Sequence, residues 1–339
     1  MDMNYREDKE VTKESKKAYT ESIEDLIKHR QAEAEQLRTE YFRDVFKDPE
    51  RYREDLRKML GWPLVGHTAG SIPAASFEKL SEEDGYTVYR TKIEVLPNFE
   101  MSGLFFKMKG DGAKPLVIVQ HGGSDTPELI SGMYGTTWNY NDMLTRVIER
   151  GVHVFAPQLL LWNTTDYGVD YDRKRIDSDL KRVGGSVAAL ELYGISRILD
   201  YFEGRDYVSN FGMVGLSYGG FYTLFAAALD TRIKSAISCS FFNKRDACGW
   251  SDWTWFDSAH LFDDAEVACL AYPRRLCIEV GTRDELFDSR YAEESFERLR
   301  AYCEGVGEDW YEFILFDGGH EFCHDDTPIE NLVKHLKKG

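Results

Sequence analysis

The chain has 339 residues, 42% of them hydrophobic and 14% aromatic, with a formal net charge of -17. That supply of apolar side chains can bury a sizeable core, which excludes a chain disordered throughout, and the length suits one catalytic domain of about 250 residues with an appendage. An acidic balance of this size repels phosphate backbones and anionic lipid, so neither nucleic acid nor a membrane is expected as a partner.

The first eight residues lack the basic start and apolar run of a signal peptide, and no stretch approaches 18 apolar residues. A cytoplasmic protein is expected. The six cysteines form no C-x-x-C pair, so free thiols and no metal site are expected. Residues 1 to about 18 are charged without periodicity and read as a loose start. From Ser22, the residues Ile23, Leu26, Ile27, Ala34, Leu37, Tyr41 and Val45 recur at helical spacing. Asp48-Pro49 ends that helix, and a second one follows with Tyr52, Leu56 and Met59 inward and Gly61 as its stop. Residues 1–62 therefore read as a helical extension that either covers the main domain or forms a homodimer contact. Residues 63–339 read as the catalytic domain.

Tyr86, Val88, Ile93 and Val95, then 104–108, suggest two strands without an intervening helix, paired antiparallel. Solid apolar runs follow at 115–119, 152–155, 212–214, 233–238, 276–280 and 311–316, with helical stretches between most of them. Such runs mark strands buried on both faces. The expected architecture is α/β: a mostly parallel, eight-stranded sheet with helices on both faces.

Chemistry concentrates at the strand ends. Gly215-Leu216-Ser217-Tyr218-Gly219 follows an apolar strand and opens an apolar helix. The G-x-S-x-G pattern alone is weak, but strand-turn-helix is the context a strained nucleophile elbow requires. After the first buried strand comes Gln120-His121-Gly122-Gly123. An acyl-transfer enzyme needs two backbone N–H groups aimed at the developing oxyanion, and Tyr218 and Gly123 are the candidates. His121 is expected to brace this loop. The base must lie beyond Ser217 in this order of elements. His320, in Gly318-Gly319-His320 after the last strand, is the leading choice, with His324 behind it. The acid is expected at Asp284, three residues past Gly281, with Asp288, Glu285 and Asp246 as competitors.

Over roughly residues 84–338 these motifs together resemble the α/β-hydrolase superfamily. The His121-Gly122-Gly123 loop, the Gly-Leu-Ser-Tyr-Gly-Gly elbow, Gly281-x-x-Asp284 and Gly319-His320 are most similar to the dienelactone-hydrolase and acetyl-xylan-esterase-like branch. The resemblance implies hydrolysis of a small-molecule ester through an acyl-serine, with no metal or organic cofactor and with a carbohydrate acetyl ester as one candidate. The chain departs from dienelactone hydrolases proper, which carry cysteine where Ser217 stands. A prolyl-oligopeptidase-like peptidase or amidase is the alternative, although the first 80 residues read as helices and not as a propeller. A hydrolase-fold binder without catalysis is a third reading. The aromatic segment 240–272 holds Phe241, Trp253 and Trp255 and is expected either to form a substrate-binding lid or to pack against the sheet. Trp162, Asn163 and the Lys244-Arg245 pair are further rim candidates.

Overall fold

The computed structural model describes residues 3–66, 71–162, 166 and 168–338. Helix α1 spans Lys9–Tyr41 and is capped by Asp8, whose carboxylate accepts the Glu10 N–H at 3.0 Å. The expected loose start is thus helical from Lys9. Its first turns have no apolar stripe. They carry paired charges such as Lys17 and Glu21, so hydrophobic periodicity does not reveal them. The helix is exposed along residues 9–30, and burial begins with Ala34 and Arg38 and continues through Phe42 and Val45.

Helix α2 (Pro49–Leu60) lies on the main domain. Arg53 donates to the carbonyls of Ala228 and Leu270 at 2.8 and 2.9 Å, and Arg57 donates to that of Leu229 at 3.0 Å. These carbonyls lie at the ends of helices of the main body, where intrahelical donors run out, and the two arginines help to satisfy them. The second half of the extension therefore packs on the ends of two helices of the main body.

The sheet has nine strands: β1 (Ala75–Glu82), β2 (Tyr86–Leu96), β3 (Phe99–Met108), β4 (Lys114–Gln120), β5 (His153–Pro157), β6 (Val208–Leu216), β7 (Ile233–Cys239), β8 (Arg275–Gly281) and β9 (Tyr311–Phe316). Eight match the expected runs. The ninth, β1, is an edge strand with no fully buried residue, so its sequence carries no strong apolar signal. The order is β1-β2-β3-β5-β4-β6-β7-β8-β9, with β1, β2 and β3 antiparallel and every pairing from β5 to β9 parallel.

Helices α3 (Pro127–Ile130), α4 (Met143–Ile148), α5 (Arg173–Arg182), α6 (Val187–Phe202), α7 (Tyr218–Leu229), α8 (Asp264–Cys269), α9 (Ser289–Tyr302) and α10 (Thr327–Lys338) complete the fold. One core layer joins α2, α6, α7, α8 and α9 to the sheet; the second joins α3, α4 and α10 to its other face. From β4 the chain steps outward to β5, then returns across β4 to β6 and winds the opposite way. Sheets of this kind place ligands at the carboxyl ends of the strands where the winding reverses, here β4 and β6.

Candidate active site

Ser217 sits between the end of β6 and the first residue of α7, with φ 61° and ψ -120°. A non-glycine residue is rarely found there, so the turn is strained. The crowding that fixes it is measurable. A Cβ on Gly215 would lie 2.2 Å from the Gly219 carbonyl oxygen, and one on Gly219 would lie 2.2 Å from that of Gln120. Only glycine allows strand, turn and helix to approach this closely. The Ser217 N–H donates to the Cys239 carbonyl at 2.9 Å, tying the turn to the end of β7, and the residue is 9% exposed.

The loop after β4 faces this turn. His121 is fully buried, which pushes its pKa down to about 4. The neutral ring accepts the Leu159 N–H at Nε2, 3.1 Å, and Nδ1 lies 2.9 Å from the Gly122 carbonyl oxygen. It braces the loop, as its position predicts. The Gly122 N–H is taken by the Tyr140 hydroxyl at 2.5 Å, whereas the Gly123 N–H has no partner among the described residues. Tyr218 opens α7, where the first N–H groups lack intrahelical acceptors. Gly123 and Tyr218 therefore carry the two candidate oxyanion donors, and a Cβ on Gly123 would stand 3.2 Å from the Tyr218 ring.

His320 follows β9, and its Nδ1 lies 2.8 Å from Asp284 Oδ2. The other Asp284 oxygen accepts the N–H groups of Leu286 and Phe287 at 2.8 and 3.0 Å, and the carboxylate is wholly buried. With Nδ1–H held by Asp284, Nε2 is free to accept a proton. Phe287 stacks on the imidazole with centroids 5.7 Å apart. The carbonyl of the next residue, Glu321, accepts from Cys239 Sγ at 3.4 Å and Ser240 Oγ at 3.2 Å. The histidine turn and the Ser217 turn thus hang on the same end of β7. The Ser217 hydroxyl makes no hydrogen bond to a described residue.

The competing residues lie elsewhere. Asp288 caps α9 and pairs with Arg290, which draws its pKa down to about 2. Glu285 is exposed. Asp246 sits beneath α1, beside Gln31 and Arg38. His324 is exposed, 3.5 Å from Glu321.

Three of the expected substrate contacts need correction. Phe241, Trp253 and Trp255 are 0%, 1% and 5% exposed. Their rings pack the 240–272 insert onto Phe221 and Phe225 of α7, whose apolar surface runs all the way round and has to be covered. These three side chains pack the insert against α7. Arg245 is buried as well, paired with Asp264 at 2.8 Å, and Lys244 pairs with Glu294. Trp162 remains at the rim, 39% exposed, with its indole N–H donating to the Tyr218 hydroxyl at 3.0 Å. Trp250 meets it edge-on at 5.3 Å. Asn163 lies outside the described residues.

Sequence reading missed the polar cluster beneath this rim. The Tyr218 hydroxyl donates to Asp252 Oδ2 at 2.8 Å, and Arg173 Nε reaches the same oxygen at 2.8 Å. Arg173 also pairs with Glu191, which accepts from the Leu160 N–H and the Tyr222 hydroxyl. All of these side chains are buried. Among the described residues no group of three or more His, Cys, Asp or Glu is placed to hold a metal ion, no helix is long and apolar enough to cross a membrane, and all six cysteines are free.

No family model matches the chain. Among curated proteins it is 26% identical over 292 residues to "Putative hydrolase YtaP" of Bacillus subtilis (strain 168), spanning 79% of this chain and 94% of that protein. Among solved structures it is similar to a glucuronoyl esterase from Solibacter usitatus, with TM-score 0.60 and 13% identity, over 86% of this chain and 92% of the other. It is also similar to acetyl xylan esterase 1 from Thermoanaerobacterium sp. JW/SL YS485, with TM-score 0.55 and 15% identity, over 85% and 93%.

Proposed function

Starting from a chain with the α/β-hydrolase fold, we propose a serine esterase that cleaves a small carboxylic ester on a carbohydrate. The observation that carries this reading is the His320–Asp284 contact at 2.8 Å, on the same sheet edge as a serine held at φ 61°. In this mechanism His320 Nε2 takes the proton of the Ser217 hydroxyl as Oγ attacks the ester carbonyl. The carbonyl oxygen becomes an oxyanion and is met by the N–H groups of Gly123 and Tyr218, each worth about 3 kcal/mol of barrier. His320 then gives its proton to the departing alkoxide, leaving an acyl-serine and a free alcohol. Water attacks the acyl-serine, again through His320, and releases the acid. Asp284 holds the productive tautomer and stabilises the imidazolium. The carbohydrate portion is supported by the names of the similar structures and by the exposed Trp162 ring, on which a sugar can stack.

The test is a panel of acetyl esters, acetylated sugars, uronic-acid esters and aminoacyl amides, run beside labelling with a fluorophosphonate. Wild type should label at Ser217 and hydrolyse the sugar esters, and Ser217→Ala should lose labelling and at least about 10⁴-fold of kcat. Folded wild-type protein that neither labels nor turns over any ester would end this reading.

A further inference from the structure

Residues 137–142, between α3 and α4, belong to neither core layer's regular elements, yet they touch both halves of the site. The backbone there is unusual: Trp138, Asn141 and Asp142 have φ of 45°, 48° and 56°. Asparagine and aspartate tolerate that region, but tryptophan rarely enters it, so the surroundings must hold the segment in shape. Thr137 does part of this, donating from Oγ1 to Asp142 Oδ1 at 2.7 Å and accepting the Asp142 N–H at 3.0 Å.

One side of the segment grips the loop after β4. The buried Tyr140 hydroxyl donates to Asp125 Oδ2 at 2.6 Å and accepts the Gly122 N–H at 2.5 Å. Because its single proton is committed to Asp125, a lone pair is left facing Gly122, and the direction of that N–H is fixed. The other side grips the histidine turn. The Asn139 amide donates to the His320 carbonyl at 2.9 Å, and the Asn139 carbonyl accepts the Phe322 N–H at 2.8 Å. Asn141 donates to Glu321 Oε2 at 3.0 Å and to the Phe322 carbonyl at 2.7 Å, while Glu321 Oε1 accepts the Gly319 N–H at 3.1 Å.

We propose that this segment is a clasp that sets the oxyanion loop and the histidine turn in register with each other, with Tyr140 and Asn139 as its two positioning residues. The proposal rests on the serine-esterase reading above. Tyr140 consumes the Gly122 N–H and so leaves Gly123 as the free donor. Asn139, one residue away on the same rigid turn, fixes the carbonyl of the base. A shift at either end moves the oxyanion donor relative to Nε2, and displacements of an ångström in such a constellation are costly to rate.

The experiment uses the full chain and measures kcat, KM, the rate of fluorophosphonate labelling and the melting temperature for Tyr140→Phe, Asn139→Ala and the double variant. Tyr140→Phe keeps the ring and should lower kcat and labelling about ten- to a hundredfold, with KM within about threefold. Asn139→Ala should behave alike. The double variant should lose about as much as the worse single variant, because one clasp can be undone only once. Should Tyr140→Phe fail to fold, Asp125→Ala removes the acceptor that commits the tyrosine proton and should show the same kcat loss. Folded variants within about twofold of wild-type kcat, or a double variant whose loss is the product of the singles, overturn the clasp. Wild type that does not label would instead bring down the esterase reading, so the two failures are distinguishable.

Discussion

At Ser217 the chain accepts strain in order to present a hydroxyl. Backbone at φ 61°, ψ -120° costs a side-chain-bearing residue about 1–3 kcal/mol, and the neighbouring glycines show what the strain brings into contact. Ser217→Gly should therefore be more stable than Ser217→Ala by about 1 kcal/mol, even though glycine has more freedom to lose on folding. Urea unfolding of the two variants measures this; equal midpoints would mean that no strain is stored at the turn. The motif and its strand-turn-helix setting were legible in the sequence because each required residue lies within five positions of the next. His121 was legible for the same reason. The sequence favours Asp284 over Asp288 by its distance from the strand end, and in the structure the first carboxylate faces the imidazole while the second caps a helix.

Among the elements, α5, α6, α7 and the 240–272 insert meet at one buried arginine. Arg173 neutralises both Glu191 and Asp252, and through Asp252 it holds the Tyr218 hydroxyl and so the first turn of α7. Replacing it by leucine leaves two carboxylates buried without a cation, which should cost about 3–5 kcal/mol, read as a fall in melting temperature. A Arg173→Leu variant as stable as wild type would show that these carboxylates reach solvent or bind protons instead. Nothing in the sequence singled out this arginine. It opens a helix rich in charge, and a charge run has the same composition whether it faces water or a partner. The aromatic insert misled in the opposite direction: clustered rings fit a binding face as well as a plug, and only the exposed surface of α7 decides which.

For the molecule as a whole, the parallel run from β4 to β9 brings the loops that carry Gly123, Ser217, Asp284 and His320 to one edge of the sheet. The same sheet carries an unusual burden in β8. Glu279 is fully buried opposite Cys239, and burial pushes its pKa up to about 8. The fold holds this group protonated, while the unfolded chain ionises it near pH 4.5. Its contribution is complete below about pH 4.5 and is lost as pH rises through 8. Glu279→Gln should match wild type near pH 4 and exceed its stability by on the order of 5 kcal/mol near pH 9. Urea titrations at the two pH values test this; a stability difference independent of pH would show that Glu279 is already charged in the fold.

The sequence by itself determined the α/β alternation, the strand-end positions of Ser217, Asp284 and His320, and the glycines around the elbow. Each of these is written in a short window, as a burial period or as a local backbone demand. It undercounted where the local pattern was silent, at the polar first turns of α1 and the edge strand β1. Only the tertiary structure decided that Phe241, Trp253 and Trp255 point inward, that Arg173 is a buried counter-ion, and that Tyr140 and Asn139 join the Gly122 loop to the His320 turn. Contacts of that kind depend on where the sheet carries each loop in space, and the residues that make them need no special neighbours along the chain.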